Sequence, residues 1–432
     1  SLVFLSVIFR SYIPQSIKNS VPLIIGDVFK IPLLKKENYE LKEEISELQK
    51  EFDRFKRETI IGNEKFLGLE LSSINAKSEK GNELKIKRYQ LVSYPHDFGW
   101  WGDFYEGRYI EKFKKQLLLV DNFKIYKSDF SNIKKEGKLK FSKISSNLDN
   151  IKNLYAIRDL KVIDSYLYVV AFLNEYIDDP NKIENVGTAG FSPGSCKRLV
   201  ILKADLISNE LNFETFFKLP MQKCFTSPGS VFLSGGRIDK FDSENIILSV
   251  GDFGFPKYDE SDKRIFEEKY NIGKILSINI KDKSIKHLSI GHRNTQGLVY
   301  VDNKNLIIST EHGPRGGDEI NINYLDKVYN FGWPIASYGV RYNGEEPFKK
   351  NHKEFGFDEP FKYYKPSIGP SQIIRKHDND QDFYLVTLKS ERIYKLKFDE
   401  NFKQIKEEEV YTVGERIRDI LYLDENYYAL LL

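Results

Sequence analysis

The sequence contains little sulfur. Methionine occurs once in 432 residues and cysteine twice, as Cys196 and Cys224. Neither cysteine lies in a CxxC or a Cys/His spacing, which argues against a structural zinc site. Two interpretations of the pair stay open: two free thiols in the core, or a disulfide, which needs an oxidising compartment.

The sequence also lacks a large excess of charge. Its 66 Lys and Arg residues oppose 63 Asp and Glu residues, so the net charge is only +3. A general binder of nucleic acid or of another polyanion carries a much larger basic excess. We therefore expect no nucleic-acid partner, although local basic clusters remain compatible with this composition.

No long apolar run begins the chain. The first nine residues, SLVFLSVIF, are followed at once by Arg10, whereas a membrane-spanning helix needs about 20 apolar residues. We interpret residues 1–33 as a truncated membrane anchor or signal remnant, with a buried strand as the alternative. This interpretation predicts a periplasmic or other extracytoplasmic location, with membrane attachment through the N-terminus.

Residues 34–60 have a helical pattern. Apolar residues recur there at alternating steps of three and four, and charged residues fill the positions between them. This spacing predicts an amphipathic helix with a narrow apolar stripe. Two interpretations stay open: a single helix lying on the main domain, or a short coiled coil that joins subunits into an oligomer or spaces the domain from a membrane.

Beyond about residue 90 the pattern becomes that of β-strands. An apolar run, an acid with a few polar residues and a second apolar run recur six times, at Asp121, Asp164, Asp242, Asp302, Asp380 and Asp424. Each copy predicts a β-hairpin, and repeated hairpins at such spacing are typical of propeller blades. We predict an all-β fold, a six-bladed β-propeller over residues 90–432 with an N-terminal helical extension. A sandwich with long insertions is the alternative. The last hairpin is expected to lack a closing strand or to receive one from the N-terminal side.

The segment 311–321, EHGPRGGDEIN, is rich in glycine and oxygen ligands. Glycine permits close backbone approach, and Pro314 contributes a carbonyl but no donor. Carbonyl and carboxylate oxygens are the ligands of a hard cation such as calcium. One interpretation is therefore a metal or cofactor site, and the other is a tight turn with solvated acids.

Cationic side chains accompany this loop on several different repeats. They are Arg293, Lys389, Arg416 and Arg418. Guanidinium groups pair with carboxylates through two parallel hydrogen bonds. Cations converging beside a calcium-type loop therefore predict a ligand that carries several carboxylates.

Six motifs in order make a specific resemblance: GHRNTQGL, EHGPRGGDEIN, NFGWP, SIGPS, TLKS and RIRD. Together they resemble the soluble dehydrogenases of glucose and other aldose sugars that depend on pyrroloquinoline quinone (PQQ), a family of six-bladed propellers. The similarity covers roughly residues 195–432. It implies PQQ and calcium as cofactors and a small sugar as substrate or ligand. It also implies that the carbonyls of Gly313 and Pro314 hold calcium, and that the quinone contacts fall on Arg293, Asn294, Ser367, Lys389, Arg416 and Arg418.

The sequence departs from this family at the general base. The family pattern His-x-Gly-Gly-Arg-Leu corresponds here to LSGGRI, so Leu233 stands where the family has the histidine that accepts the sugar hydroxyl proton. The resemblance keeps Asp252, the orienter of that histidine, and Arg293 at catalytic positions, and His312 is a candidate substitute base. We expect a dehydrogenase-like protein with weak or no turnover. The alternative is a non-catalytic propeller that binds a ligand or a protein.

Overall fold

The computed structural model describes thirteen segments of the chain. They are residues 65–70, 73–91, 107–121, 123–131, 139–176, 183–184, 195–221, 224–225, 229–254, 264–342, 349–376, 381–424 and 427–432. The predicted terminal segment 1–33 and the predicted helix 34–60 lie outside these segments. Within them there is one four-residue α-helix, α1 (Gly229–Phe232), and no helix has the length and apolarity to cross a membrane.

Short 3-10 turns complete the helical structure of the described segments. They are Leu148–Asn150, Arg264–Phe266, Asp302–Lys304 and His352–Phe355.

The first sheet combines strands from both sides of residue 90. The first eight described strands are β1 (Lys65–Glu70), β2 (Ile74–Ser78), β3 (Glu83–Ile86), β4 (Tyr89–Leu91), β5 (Tyr109–Phe113), β6 (Gln116–Asp121), β7 (Lys124–Asp129) and β8 (Leu139–Lys143). Six of these form one sheet in the order β4-β1-β8-β7-β6-β5. The apolar run of β6 is almost wholly buried, because its alternate residues pack into two different hydrophobic clusters, one on each face.

The second sheet is built on the longest strands. The next elements are β9 (Leu154–Ile163), β10 (Tyr166–Tyr176), β11 (Ile183–Glu184), β12 (Ser195–Asp205), β13 (Glu214–Lys218) and β14 (Cys224–Phe225). The sheet order is β13-β12-β10-β9, and β11 pairs separately with β14. Cys196 on β12 is disulfide-bonded, and Cys224 is the only other cysteine in the sequence. The disulfide interpretation is therefore the one that the structure shows.

Two further sheets carry the middle of the chain. Their strands are β15 (Gly235–Lys240), β16 (Asn245–Val250), β17 (Lys274–Asn279), β18 (Ile285–Ile290), β19 (Thr295–Val301), β20 (Leu306–Glu311), β21 (Asp318–Asn323), β22 (Tyr329–Asn330) and β23 (Lys362–Tyr364). The orders are β15-β16-β17-β18-β22 and β19-β20-β21-β23. Strands β16 and β20 are apolar and buried, so each sheet packs on both faces.

The last described strands form a large sheet and a separate hairpin. They are β24 (Pro370–Arg375), β25 (Asp382–Thr387), β26 (Arg392–Phe398), β27 (Ile405–Thr412), β28 (Asp419–Asp424) and β29 (Tyr427–Leu431). The sheet order is β24-β25-β26-β27-β2-β3, so early strands complete this outer edge. Strands β28 and β29 pair only with each other among the described strands.

The fold is an all-β propeller. The first strands of successive units, β5, β9, β15, β19, β24 and β28, pack side by side in a ring. The prediction of six blades is wrong: five sheets have four or more described strands, whereas the last hairpin contributes an inner strand without building a blade. The repeat in the sequence marks only the two strands around each acidic turn, so it cannot show whether a third and a fourth strand follow.

The strand register places the predicted site residues at one end of the ring. In three blades the first residue of the inner strand pairs with the last residue of the next strand: Gly235 with Val250, Thr295 with Glu311, and Pro370 with Thr387. Residues that precede an inner strand, or that follow its partner, therefore lie at the same end. The motifs GHRNTQGL, EHGPRGGDEIN, SIGPS, TLKS and RIRD occupy such positions.

Candidate functional site

Arg237 lies on the axis of the ring, directly beneath the predicted site. It is 2% exposed. Its guanidinium contacts one residue on each of the other five inner strands, namely Tyr109, Asp159, Gln296, Ser371 and Asp419. This arginine therefore closes the centre of the ring and forms the floor of the site.

Two buried carboxylates pair with Arg237 at the floor of the site. Nη1 of Arg237 lies 3.0 Å from Asp159 Oδ1 and 3.4 Å from Asp419 Oδ1. Burial raises the pKa of Asp159 to about 6, although the adjacent Arg237 opposes that rise. Burial likewise raises the pKa of Asp419, again against the influence of Arg237. Each carboxylate thus depends on this guanidinium to stay ionised in the interior.

Arg293 links the inner strand β19 to the glycine-rich loop. It is 5% exposed, and its Nη1 donates to the carbonyls of His312 at 2.9 Å and Gly313 at 3.1 Å. Its backbone N–H donates to Glu311 Oε2 at 2.7 Å, and Glu311 Oε1 accepts from His292 Nδ1 at 3.0 Å. Burial acts to raise the pKa of Glu311, but His292 and the backbone donors outweigh burial and lower it. The buried Glu311 therefore anchors the backbone of Arg293.

Asp318 and Ser367 hold the glycine-rich loop against the loop before β24. The carboxylate of Asp318 accepts from the N–H of Gly313 at 3.1 Å and from the N–H of Gly369 at 2.7 Å. The hydroxyl of Ser367 accepts from the N–H of Gly316 at 2.8 Å. A Cβ at Gly313 would lie 1.8 Å from the carbonyl oxygen of Gly317, so this close turn requires glycine.

The carbonyls predicted to hold a cation retain acceptor capacity. A carbonyl oxygen has two lone pairs, and the oxygen of Gly313 accepts a hydrogen bond from Arg293. The carbonyl of Pro314 accepts only long bonds from Gly317 N at 3.3 Å and Ser367 Oγ at 3.4 Å. The described residues contain no cluster of three His, Cys, Asp or Glu side chains that could hold a metal. These carbonyl oxygens suit a hard cation that main-chain oxygens can coordinate, such as calcium.

Asp252 holds a tryptophan. Its Oδ2 accepts from the indole Nε1 of Trp333 at 2.7 Å, and its Oδ1 accepts from the N–H of Gly254 at 2.7 Å. The guanidinium of Arg293 lies 5.4 Å from the ring centroid of Trp333. Leu233 is half-buried, and its carbonyl accepts from the N–H of Phe253. Asp252 therefore supports the Trp333–Arg293 pair. The motif NFGWP includes Trp333, but no sequence pattern pairs it with Asp252, which lies 81 residues earlier.

We expect the Asp252→Asn variant to gain relative stability as pH rises. Burial raises the pKa of Asp252 to about 6, against the opposing effect of Arg293. A raised carboxyl pKa stabilises the fold below about pH 4, and this contribution is lost as pH rises through about 6. Asparagine does not titrate and can still accept from Trp333. Between pH 4 and 7.5 the difference in unfolding free energy should shift by up to about 3 kcal/mol towards the variant.

Urea unfolding at several pH values measures this shift. Glu400→Gln is the matched control, because Glu400 is exposed. A difference between Asp252→Asn and the unmodified protein that stays constant with pH would contradict the raised pKa.

Asn294 fixes the loop that carries Leu233. Its Oδ1 accepts from the backbone N–H of Gly235 at 3.1 Å and from Gln296 Nε2 at 2.9 Å. It is 3% exposed. The side chain of Asn294 therefore holds the loop before β15 in place.

The remaining predicted cations reach the same end through backbone contacts. The N–H of Lys389 donates to the carbonyl of Ile368, and the N–H of Ile417 donates to the carbonyl of Thr387. Lys389 and Arg416 are exposed, whereas Arg418 is half-buried. The structure thus joins Arg293, Gly313, Pro314 and Ser367 directly. Lys389 contacts the loop that contains Ser367, and Arg416 and Arg418 lie in the loop before β28.

His312 donates a hydrogen bond to the first residue of β24. Its Nε2 lies 2.7 Å from the carbonyl oxygen of Pro370, which can only accept, so Nε2 carries the proton. Burial lowers the pKa of His312, and the nearby Arg293 and Arg418 act in the same direction. A role for His312 as substitute base stays a prediction.

Sequence similarity to known proteins identifies the family of this chain. The sequence model of the Glucose / Sorbosone dehydrogenase family matches residues 192–431. The chain belongs to this family. An uncharacterized protein of Synechocystis, slr1608, is 30% identical over 217 residues, 45% of this chain and 52% of that protein. The aldose sugar dehydrogenase YliI of Escherichia coli is 44% identical over 80 residues, 18% of this chain and 21% of that protein. The matched region thus spans about half of the first relative and a fifth of the second.

Solved structures of glucose/sorbosone dehydrogenase type share the fold. A glucose dehydrogenase crystal structure is 19% identical, with a TM-score of 0.55 over 75% of this chain and 92% of that chain. The PQQ-bound aldose sugar dehydrogenase of Streptomyces coelicolor is 18% identical, with a TM-score of 0.51 over 76% of this chain and 87% of that chain. At these identities the likeness establishes the propeller fold.

Proposed function

We propose that this family member is a PQQ- and calcium-dependent aldose dehydrogenase-like protein whose turnover is weak or absent. The proposal rests on the contrast, within one site, between the cofactor-binding groups and the general-base position. Arg293 and the carbonyls of Gly313 and Pro314 converge at one end of the ring, whereas Leu233 supplies no proton acceptor. The binding groups are present, and the expected base is absent.

Defined groups would hold the cofactors. Calcium would bind the carbonyls of Gly313 and Pro314, and the carboxylates of the quinone would pair with the cations Arg293, Lys389, Arg416 and Arg418, with Asn294 and Ser367 completing the pocket. Guanidinium suits such pairing because its planar fork matches a carboxylate. When bound, the quinone supplies the hydride acceptor for oxidation of a sugar.

The chain's own residues explain the expected low rate. Oxidation of a sugar hydroxyl releases a proton, and a positioned base accelerates that transfer typically by about 10² to 10⁴-fold. Leu233 cannot accept a proton, and Asp252 is buried and occupied by Trp333 and Gly254. Neither residue is therefore placed to take the proton from the sugar hydroxyl.

A non-catalytic role is the second candidate. The occupied carboxylate of Asp252 and the apolar Leu233 favour a propeller that binds a ligand, or a partner protein, without turnover. Dye reduction separates the two roles: protein reconstituted with calcium and PQQ is given an aldose, with quinone alone as the blank. Slow sugar-dependent reduction supports the weak enzyme, none above the blank supports the binding protein, and rapid reduction contradicts both.

Calcium is expected to raise the melting temperature. A cation that binds only the folded protein stabilises it by mass action. Magnesium is the matched control, because it gives up its water ligands reluctantly and suits a carbonyl site poorly. An unchanged melting curve between excess calcium and excess chelator would contradict a calcium site.

Location and assembly remain part of the proposal. The disulfide at Cys196 supports an oxidising, extracytoplasmic compartment. Membrane attachment through residues 1–33 and oligomerisation through residues 34–60 stay predictions, because both segments lie outside the described residues.

A further inference from the structure

Arg158 on β9 is a buried cation that the proposed cofactor set leaves out. It is 8% exposed. Within the described structure its side chain makes no hydrogen bond or ion pair, and its Nε is buried without an acceptor. It lies before residue 192, outside the region that defines the family.

The backbone of β15 approaches Arg158 closely. Gly236 has a φ of +100°, and a Cβ there would lie 2.6 Å from the Cβ of Arg158. Gly236 is three residues after Leu233 in the sequence. Arg158 therefore lies beside the loop where the family carries its base, one residue before Asp159 of the floor.

Arg158 and Arg418 both adjoin the guanidinium of Arg237: Asp159, the next residue after Arg158, accepts from its Nη1 at 3.0 Å, and the carbonyl of Arg418 accepts from its Nη2 at 3.4 Å. Burial lowers the pKa of Arg418; Tyr109 opposes this effect, and Arg158 adds to it. The neighbouring acids Asp159 and Asp419 are both engaged by Arg237. No hydrogen bond or ion pair of the Arg418 side chain occurs within the described segments either.

Such an arrangement opposes folding unless a counter-charge arrives. The buried Nε of Arg158 loses its hydration and gains no acceptor within the described structure in return. Two guanidiniums at one site add mutual repulsion. An anion that bridges them would replace the lost hydration and remove the repulsion, and a planar carboxylate matches the donor fork of arginine.

We propose that Arg158 and Arg418 together form a carboxylate-binding site beside Leu233. The carboxylate belongs either to the quinone or to a sugar acid; only the first source rests on the proposed cofactor. Arg158 adds a group on strand β9 to the cations of the site, and it makes this chain selective for an acidic ligand.

The test compares Arg158→Met with the unmodified full chain. In the absence of ligand, the variant is expected to melt at a higher temperature, because an unpaired buried charge is removed. Melting is then measured with sodium glucuronate and with glucose, and quinone affinity is measured by absorbance. Loss of one charge-assisted pair should weaken binding about tenfold. Arg392→Met is the control, because Arg392 is exposed on β26.

Each arm identifies one source. Loss of a glucuronate-dependent rise in melting temperature, with no response to glucose in either protein, assigns the site to a sugar acid. A weaker quinone affinity assigns it to the cofactor. The glucuronate arm needs no quinone, so it stands even if the unmodified protein fails to bind PQQ. If neither response differs between the variant and the unmodified protein, the proposal is overturned. Arg158→Gln provides the same comparison if the methionine variant does not fold.

Discussion

Replacing Arg237 by methionine is expected to lower the free energy of unfolding by about 3–5 kcal/mol, the cost typical of removing one partner of a buried ion pair. The carboxylates of Asp159 and Asp419 would stay buried without their cation. The carbonyls of Gln296 and Ser371 would also lose their donors. Chemical denaturation at pH 7.5 measures the loss.

Neutralising the two acids should restore much of that stability. The triple variant Arg237→Met, Asp159→Asn, Asp419→Asn removes the whole charge cluster, and such clusters can be replaced by neutral groups at little net cost. We expect the triple variant to be more stable than Arg237→Met alone. If the single variant unfolds like the unmodified protein, Arg237 does not hold the floor of the site.

Replacing Leu233 by histidine is expected to raise sugar-dependent dye reduction by up to about 10² to 10⁴-fold, the range that a positioned base supplies. Asp252 is buried next to this loop and has the lone pairs to accept a further hydrogen bond from the new imidazole. The gain should be smaller in the double variant with Asp252→Asn, because an amide orients and stabilises the charged imidazole less well than a carboxylate does.

The matched control is Leu233→Asn, which is polar but cannot accept a proton at neutral pH. It should bind the quinone without increased turnover. A histidine variant that binds quinone and remains as slow as the asparagine variant would show that the missing base does not limit the rate.

Local motifs identified loops that the structure brings together, whereas contacts between distant residues could not be predicted. The glycine-rich loop and Arg293 could be identified because their partners lie near in sequence or in named motifs. Arg237 could not be, because its partners Asp159 and Asp419 are 78 and 182 residues away. Arg158 was missed for a related reason: its significance is the absence of a partner in the described structure, which no sequence pattern records.

The blade count was missed for a different physical reason. Outer strands carry weaker apolar patterns than inner ones, because one side lies towards solvent. Strand β3 shows this: it alternates between exposed and partly buried residues, yet with β2 it completes the sheet of β27. The hairpin repeat predicted the propeller and the inner strands, but not which sheet each outer strand joins.

Titration of the purified protein with PQQ, followed by absorbance, tests whether the site binds the quinone without oxidising a sugar. The titration is made with calcium and with a chelator, and an aldose is added at saturation. The account predicts saturable binding that requires calcium, followed by little or slow reduction of the bound quinone by the sugar. Absence of binding in the presence of calcium, or rapid reduction by an aldose, would contradict it.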